Sequence, residues 1–259
     1  MSGRAAILMY HIVDTPASRR EARYCCLPVS FAEQMAWLRD ACHPISLDQL
    51  LAAQQTRTPL PENAVAVTFD DGFTSTFENA MPELERYAIP ATMYIVTNRI
   101  GGSNDWMHSR GMPQRTLVDA GQIREMHAAG ITIGSHTLNH TRLPEIDMVQ
   151  MRAEISESKI QLEELLAAPV PYFAYPYGLY TKAVKSMVKE AGYAAACSTR
   201  SGFNNLGTDR YLWRRIEVFD TDRLWHFKQK LRFGTNDAGW LLPLKYYGSR
   251  LRARMAWHK

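Results

Sequence analysis

Short, nearly unbroken apolar runs alternate along the chain with longer segments whose apolar residues recur at helical spacing. The runs at 5–10, 64–69, 91–96, 131–135, 172–175, 194–198 and 215–219 are bounded by Gly, Pro, Asn or Asp, which predicts seven short strands. Helix signals lie between them. Ser30-Phe31-Ala32-Glu33 predicts a capping box opening a helix to about residue 42, and Ser46-Leu47-Asp48-Gln49 a second one running to about residue 54. Asp147 is placed to cap a long helix to about residue 168. In it Met148, Met151, Ile155, Ile160, Leu162 and Leu165 form an apolar face, and Pro169 provides the stop. Further helices are expected over 74–87, 121–129 and 181–191. Strands interleaved with helices imply a parallel sheet with βα crossovers. The expected fold is thus α/β, a single-domain, incomplete or distorted (β/α) barrel of about seven parallel strands, with an open doubly wound sheet as the alternative. In both, chemistry gathers at the carboxyl ends of the strands.

Residues suited to binding a metal follow those strand ends. Asp70-Asp71-Gly72 succeeds the run at 64–69, and neighbouring carboxylates on an extended chain point different ways, so one can hold a cation while the other faces a substrate. His136 and His140 follow the run at 131–135, and their i, i+4 spacing on a helical turn would bring both imidazoles to one ion. Together with Asp71 they would form a two-His, one-carboxylate site with open positions, as hydrolytic zinc sites have. Taken singly, a DD pair is usually a turn or helix cap, and HxxxH is more often two surface or supporting histidines than a site. What points to chemistry is their joint placement at ends that a barrel would bring together.

Thr68-Phe69-Asp70-Asp71-Gly72, followed by the segment Gly130-Ile131-Thr132-Ile133-Gly134-Ser135-His136-Thr137-Leu138-Asn139-His140, resembles the first two motifs of the carbohydrate esterase family 4 polysaccharide deacetylases. Ile7-Leu8-Met9-Tyr10-His11 and Phe173-Ala174-Tyr175-Pro176-Tyr177-Gly178 are similar to the branch that deacetylates poly-N-acetylglucosamine in biofilms, so the likeness extends over about 7–219. It implies a metal-dependent N-deacetylase. Asp71, His136 and His140 would bind the metal, zinc first, with cobalt, nickel or manganese also compatible with the donor set. Asp70 would be the base and His11 the general acid. The backbone N–H of Tyr177 would face the oxyanion, with Pro176 and the Tyr177 ring lining the sugar pocket. The long segment after 91–96 holds Asn104, Asp105, Trp106 and His108; Trp106 is a candidate for stacking on a sugar or for anchoring the loop. The chain also departs from the family pattern. Ala174 stands where an arginine commonly holds the base, leaving Arg215 or its neighbour Arg214 as the nearest substitutes. The family's late histidine motif is not recognisable either, and His226 is assigned to packing.

Composition narrows the partners. With 46% hydrophobic and 22% charged residues the chain is globular rather than disordered or fibrous. Cys25, Cys26, Cys42 and Cys197 show no CxxC pairing and are expected to be small buried hydrophobes. No apolar run reaches the ~18 residues of a spanning helix, and 5–10 is too short for a signal-peptide core, so a cytoplasmic location is expected. The net charge of +4 is local: residues 240–259 hold Lys245, Arg250, Arg252, Arg254 and Lys259 and no acid, a charge of +5 that leaves −1 for the rest. That excludes a broad nucleic-acid face. Trp240, Leu241, Leu242, Tyr246, Tyr247 and Trp257 interleave these charges, which suits peripheral contact with an anionic membrane surface, or else a solvated helix packed on the domain. The expected organisation is therefore a catalytic domain over 1–235 and a basic aromatic tail over 236–259. The expected substrate is an N-acetylhexosamine in a polysaccharide or in a lipid-linked envelope precursor, for instance on polyprenyl phosphate at the inner membrane face. A metal-dependent amidohydrolase acting on a small soluble amide or cyclic imide is the enzymatic alternative. A non-catalytic glycan-binding module is the other, and the intact Asp70, Asp71, His136 and His140 argue against it.

Overall fold

The structure is a computed structural model and describes residues 3–239, 241 and 242. Most of the tail over 236–259, with all five of its basic residues, therefore lies outside the described residues. One parallel sheet organises the chain: β1 (Ala5–Tyr10), β2 (His43–Pro44), β3 (Ala64–Phe69), β4 (Ala91–Ile95), β5 (Thr132–Ser135), β6 (Tyr172–Ala174), β7 (Ala195–Cys197) and β8 (Ile216–Glu217). The strand order is β7-β6-β5-β4-β3-β1-β8, with β2 beside the start of β3. Helices α1 (Pro28–Ala41), α2 (Leu47–Thr56), α3 (Met81–Arg86), α4 (Ala120–Ala128), α5 (Met148–Leu166), α6 (Lys182–Glu190) and α7 (Leu224–Phe233) complete the fold.

The two edges of this sheet nearly meet. Trp213 pairs with Cys197 on β7, the Arg215 N–H donates to the Arg200 carbonyl, and two residues on β8 pair with Leu8 and Met9 of β1. The segment from Trp213 to Glu217 thus spans the gap and makes the sheet a distorted barrel. Alternation along the strands separates two apolar layers. Leu8, Tyr10, Val65, Val67 and Phe69 face the helices, while Ala5, Ile7, Ala64 and Ala66 face inward with Tyr94, Tyr172 and Trp213. Small inward alanines leave room for those rings. α2 plugs the amino-terminal mouth: Leu47 and Leu50 join the inner cluster, Tyr172 hydrogen-bonds Asp48, and the Trp213 indole N–H donates to Gln54.

Local signals held unevenly. Ser46 and Gln49 form the expected reciprocal cap, and Asp147 caps α5 through the Val149 and Gln150 N–H groups. The box expected at Ser30 does not form. Pro28, whose fixed φ suits a first helical turn, starts α1 after Leu27 and leaves Ser30 inside the helix. The helix expected over 74–87 is instead a wide π-type turn at Thr76–Ala80 followed by α3; Pro82 lacks the N–H that a continuous α-ladder would need there. Of the strand expected over 215–219, only Ile216–Glu217 pairs. The four cysteines are free, and three are buried, with Cys42 partly exposed.

Candidate active site

Asp70, Asp71, His136, His140, His11, Trp106 and Tyr177 all line one cleft of about 200 Å³ at the carboxyl ends of the strands. Asp70 directly follows β3, and its N–H donates to the Tyr10 carbonyl on β1. Asp71 and Gly72 both adopt left-handed backbone, with φ of 74° and 82°, so the chain reverses at once and turns the two carboxylates apart. The two histidines arrive differently from the expectation. His136 directly follows β5, but the residues after it do not form a helical turn: Thr137 and His140 have φ of 69° and 58°, and this irregular loop carries the second imidazole back. Buried Glu154 of α5 sets its shape, accepting from the Asn139 N–H (3.0 Å), Asn139 Nδ2 (2.7 Å) and the Thr141 hydroxyl (2.9 Å).

His140 Nε2 lies 3.2 Å and His136 Nε2 3.5 Å from Asp71 Oδ1. Bonds of about 2.0–2.1 Å to one ion put neighbouring donor atoms about 3.0–3.4 Å apart, so these spacings match the edges of a coordination shell. Asp71 Oδ1 is buried and accepts no hydrogen bond in this arrangement, as expected of an oxygen meant for a cation. His136 Nδ1–H donates to the Ala174 carbonyl (2.8 Å), which fixes the tautomer with the Nε2 lone pair directed at Asp71. Burial pushes the His136 pKa down to about 4, so the ring is neutral and able to ligate at physiological pH. The residues therefore fit a single divalent ion. The three candidate ligands lie within 4.8 Å of one another.

Arg215, not Arg214, holds the second carboxylate. Arg214 is exposed, whereas Arg215 is fully buried and grips Asp70 with both terminal nitrogens, at 2.5 and 2.7 Å. Its Nε donates to the Ser198 carbonyl and its fork also reaches Thr68 Oγ1. Burial raises the Asp70 pKa, but the adjacent Arg215 charge, aided by His136, outweighs it and holds the carboxyl below its usual range. The cation that the Ala174 position lacks thus comes from the segment that closes the barrel.

His11 follows β1; its ring meets Tyr24 edge-on at 5.5 Å, and its buried Nδ1 has no hydrogen-bond partner. Trp106 stacks on His140 (4.9 Å, 18° between planes), so one indole face is committed to supporting a candidate ligand. Pro176 is buried and sets a single turn in which Tyr177 has φ 58°; a Cβ on the next residue, Gly178, would fall 1.9 Å from Thr199 Oγ1. The Tyr177 ring meets His140 edge-on at 4.5 Å. His226 lies on α7, where Nδ1 accepts from the Arg223 N–H, outside the cleft.

Several contributors carry no motif. Arg115 bonds Glu21 through Nε and Nη2 (2.8 Å each) and Asp14 through Nη1 (2.7 Å), tying the loop after β1 to the loop that holds Trp106. Buried Asn104 accepts from the Arg115 N–H and donates to the Pro113 carbonyl, bracing the same loop. The Arg115 partners are 94 and 101 residues away along the chain, so only an Arg in an irregular stretch marks the clamp in sequence.

The polysaccharide deacetylase family profile matches residues 57–196, more than half of the chain. The chain belongs to the polysaccharide deacetylase family. It is a hydrolase of N-acetyl amide bonds in a family that is typically metal-dependent. The poly-beta-1,6-N-acetyl-D-glucosamine N-deacetylase of Staphylococcus aureus is 26% identical over 228 residues, covering 84% of this chain and 76% of that protein. The solved structure of IcaB from Ammonifex degensii superposes with a TM-score of 0.72 at 25% identity, over 84% of this chain and 92% of that one. The fold is also that of the Streptococcus pyogenes deacetylase PplD in complex with acetate, with a TM-score of 0.77 at 21% identity, over 89% of this chain and 99% of that one.

Proposed function

We propose that this polysaccharide deacetylase hydrolyses the acetamide of an N-acetylhexosamine and releases acetate. The observation that carries the proposal is the juxtaposition, in one cleft, of the Asp71–His136–His140 cluster with a carboxylate, Asp70, held by a buried arginine. An amide is a weak electrophile with a poor leaving group, so its hydrolysis needs an activated water, a stabilised oxyanion and a proton for nitrogen. A divalent ion on the cluster, zinc by preference, would supply Lewis-acid activation of water and of the carbonyl. Asp70, ionised and fixed by Arg215, takes the proton from water. The Tyr177 N–H donates to the developing oxyanion, and His11 across the cleft delivers a proton to the leaving nitrogen. The test is acetate release from polymeric, lipid-linked and nucleotide-linked N-acetylhexosamines, with and without chelator. We expect release that chelator abolishes and added zinc restores. His140→Ala is expected to lower bound metal from one ion per chain to none. Chelator-resistant activity, or full metal occupancy in His140→Ala, would contradict the site.

The S. aureus relative named for poly-N-acetylglucosamine supports an amino-sugar polymer as one substrate class. A lipid-linked precursor is the other, supported by the +5 charge of residues 240–259, since anionic lipids concentrate in the cytoplasmic leaflet. Among the described residues no helix is long and apolar enough to cross a membrane. Flotation with phosphatidylserine vesicles is expected to carry the full chain but not one ending at residue 239, with high salt releasing it. Equal failure of both chains to float would remove the membrane contact.

A further inference from the structure

Arginines from three separate loops gather at the mouth of the cleft. Arg23, from the loop after β1, and Arg110, from the loop after β4, line the cleft itself, while Arg142 comes two residues after His140. The Arg110 and Arg142 guanidinium carbons lie 4.7 and 5.1 Å from the centre of the Tyr177 ring, which is 4.5 Å from the His140 ring. The Arg110 charge therefore stands at most about 9 Å from a candidate metal ligand.

Their pairing differs from that of their neighbours. In the same loops Arg99 is bound to Asp105, and Arg115 to Asp14 and Glu21. Arg142 has Glu145 at 2.6 Å, but among the described residues Arg23 and Arg110 have no carboxylate partner. Within the wall, Asp70 is taken by Arg215, and Asp71 belongs to the candidate metal cluster, whose ion would offset its charge, which leaves Glu217 as the third carboxylate lining the cleft with these two guanidiniums. The Arg115 clamp ties together the two loops that carry Arg23 and Arg110.

A neutral acetamido sugar gives guanidinium little to bind beyond hydroxyls that aromatic and amide side chains serve as well. A partly deacetylated polymer is worse, because its free amines are ammonium groups that the arginines repel. A planar fork of donors suits phosphate or carboxylate. We infer that the substrate carries an anionic group, a phosphate or a carboxylate, beside its N-acetylated sugar, and that Arg23 and Arg110 bind it. This rests on the deacetylase function proposed above and narrows its substrate class. Arg142 is a positioning residue that backs the Tyr177 ring.

The experiment compares kcat/KM for acetate release by the metal-loaded full chain on three substrates. These are a prenyl phosphate of N-acetylglucosamine, an oligosaccharide alternating N-acetylglucosamine with glucuronate, and a neutral N-acetylglucosamine oligomer. We expect one charged substrate to lead the neutral one by at least tenfold, with the lead shrinking as salt rises, and the leading arm names phosphate or carboxylate as the anion. In Arg23→Ala/Arg110→Ala the ratio should fall to within about twofold of unity, and Arg110→Lys should keep part of it by retaining charge. Both side chains are exposed, so the variants should melt with the native chain. Equal kcat/KM on charged and neutral substrates, or a lead that survives the double variant, overturns the inference. Calorimetry of the same compounds on Asp70→Asn separates the two proposals. If nothing is turned over, the deacetylase function fails alone, and arginine-dependent or arginine-independent binding of the charged compounds still decides the anion site.

Discussion

Asp70→Asn is expected to cut acetate release by about 10²–10⁴-fold while one metal ion per chain stays bound, because a positioned general base contributes on that scale. The substitution preserves shape and can still accept a hydrogen bond from Arg215, but an amide cannot take a proton from water. Metal retention follows from the division of labour at the end of β3. The three candidate ligand atoms belong to Asp71, His136 and His140, and Asp70 instead spends both oxygens on the Arg215 fork. Metal content and rate measured on the same preparation separate this outcome from general damage. Acetate release at the native rate would end the assignment of Asp70 as base; loss of the ion together with activity would show that the two carboxylates share the metal.

The candidate site was legible in sequence where chemistry sits on a strand end, and illegible where it depends on which strand ends meet. Asp70, Asp71 and His136 directly follow apolar runs, so placing the strands placed them too. His140 was identified for the wrong local reason: its arrival depends on left-handed backbone at Thr137 and on Glu154 in α5, and neither is encoded by the i, i+4 spacing. Asn139, left without a role by the sequence, is the anchor of that loop. Arg215 against Arg214 shows a different limit. Both precede the last strand, and only closure of the barrel decides that one residue points inward to Asp70 while its neighbour faces solvent. Ser30 and Pro82 mark where a local motif was outweighed by proline, whose fixed φ and missing N–H override a capping pattern or an apolar period. The arginines at the mouth carry no motif, since a recognition surface assembled from three loops has no sequence period.

Arg215→Met should be the most damaging substitution outside the metal ligands, for stability and rate together. Removing one member of a buried ion pair costs about 3–5 kcal/mol, because the remaining charge has neither water nor partner. At about 2–4 °C per kcal/mol for a chain of roughly this size, the melting temperature should fall by roughly 6–20 °C. The side chain also fixes the base from above and bridges the barrel seam through the Ser198 carbonyl, so acetate release should drop at least ~10²-fold even in the fraction that remains folded. Arg215→Lys should lie between the two, since a single ammonium cannot reproduce a bidentate grip together with the bond to Ser198. A double-mutant cycle separates pairing from packing: Asp70→Leu/Arg215→Met, with neither charge of this pair left, should melt above Arg215→Met while remaining inactive. If Arg215→Met melts with the native protein and turns over normally, the pair does not position the base. If the double variant melts no higher than the single one, the loss comes from the barrel seam rather than from an orphaned carboxylate.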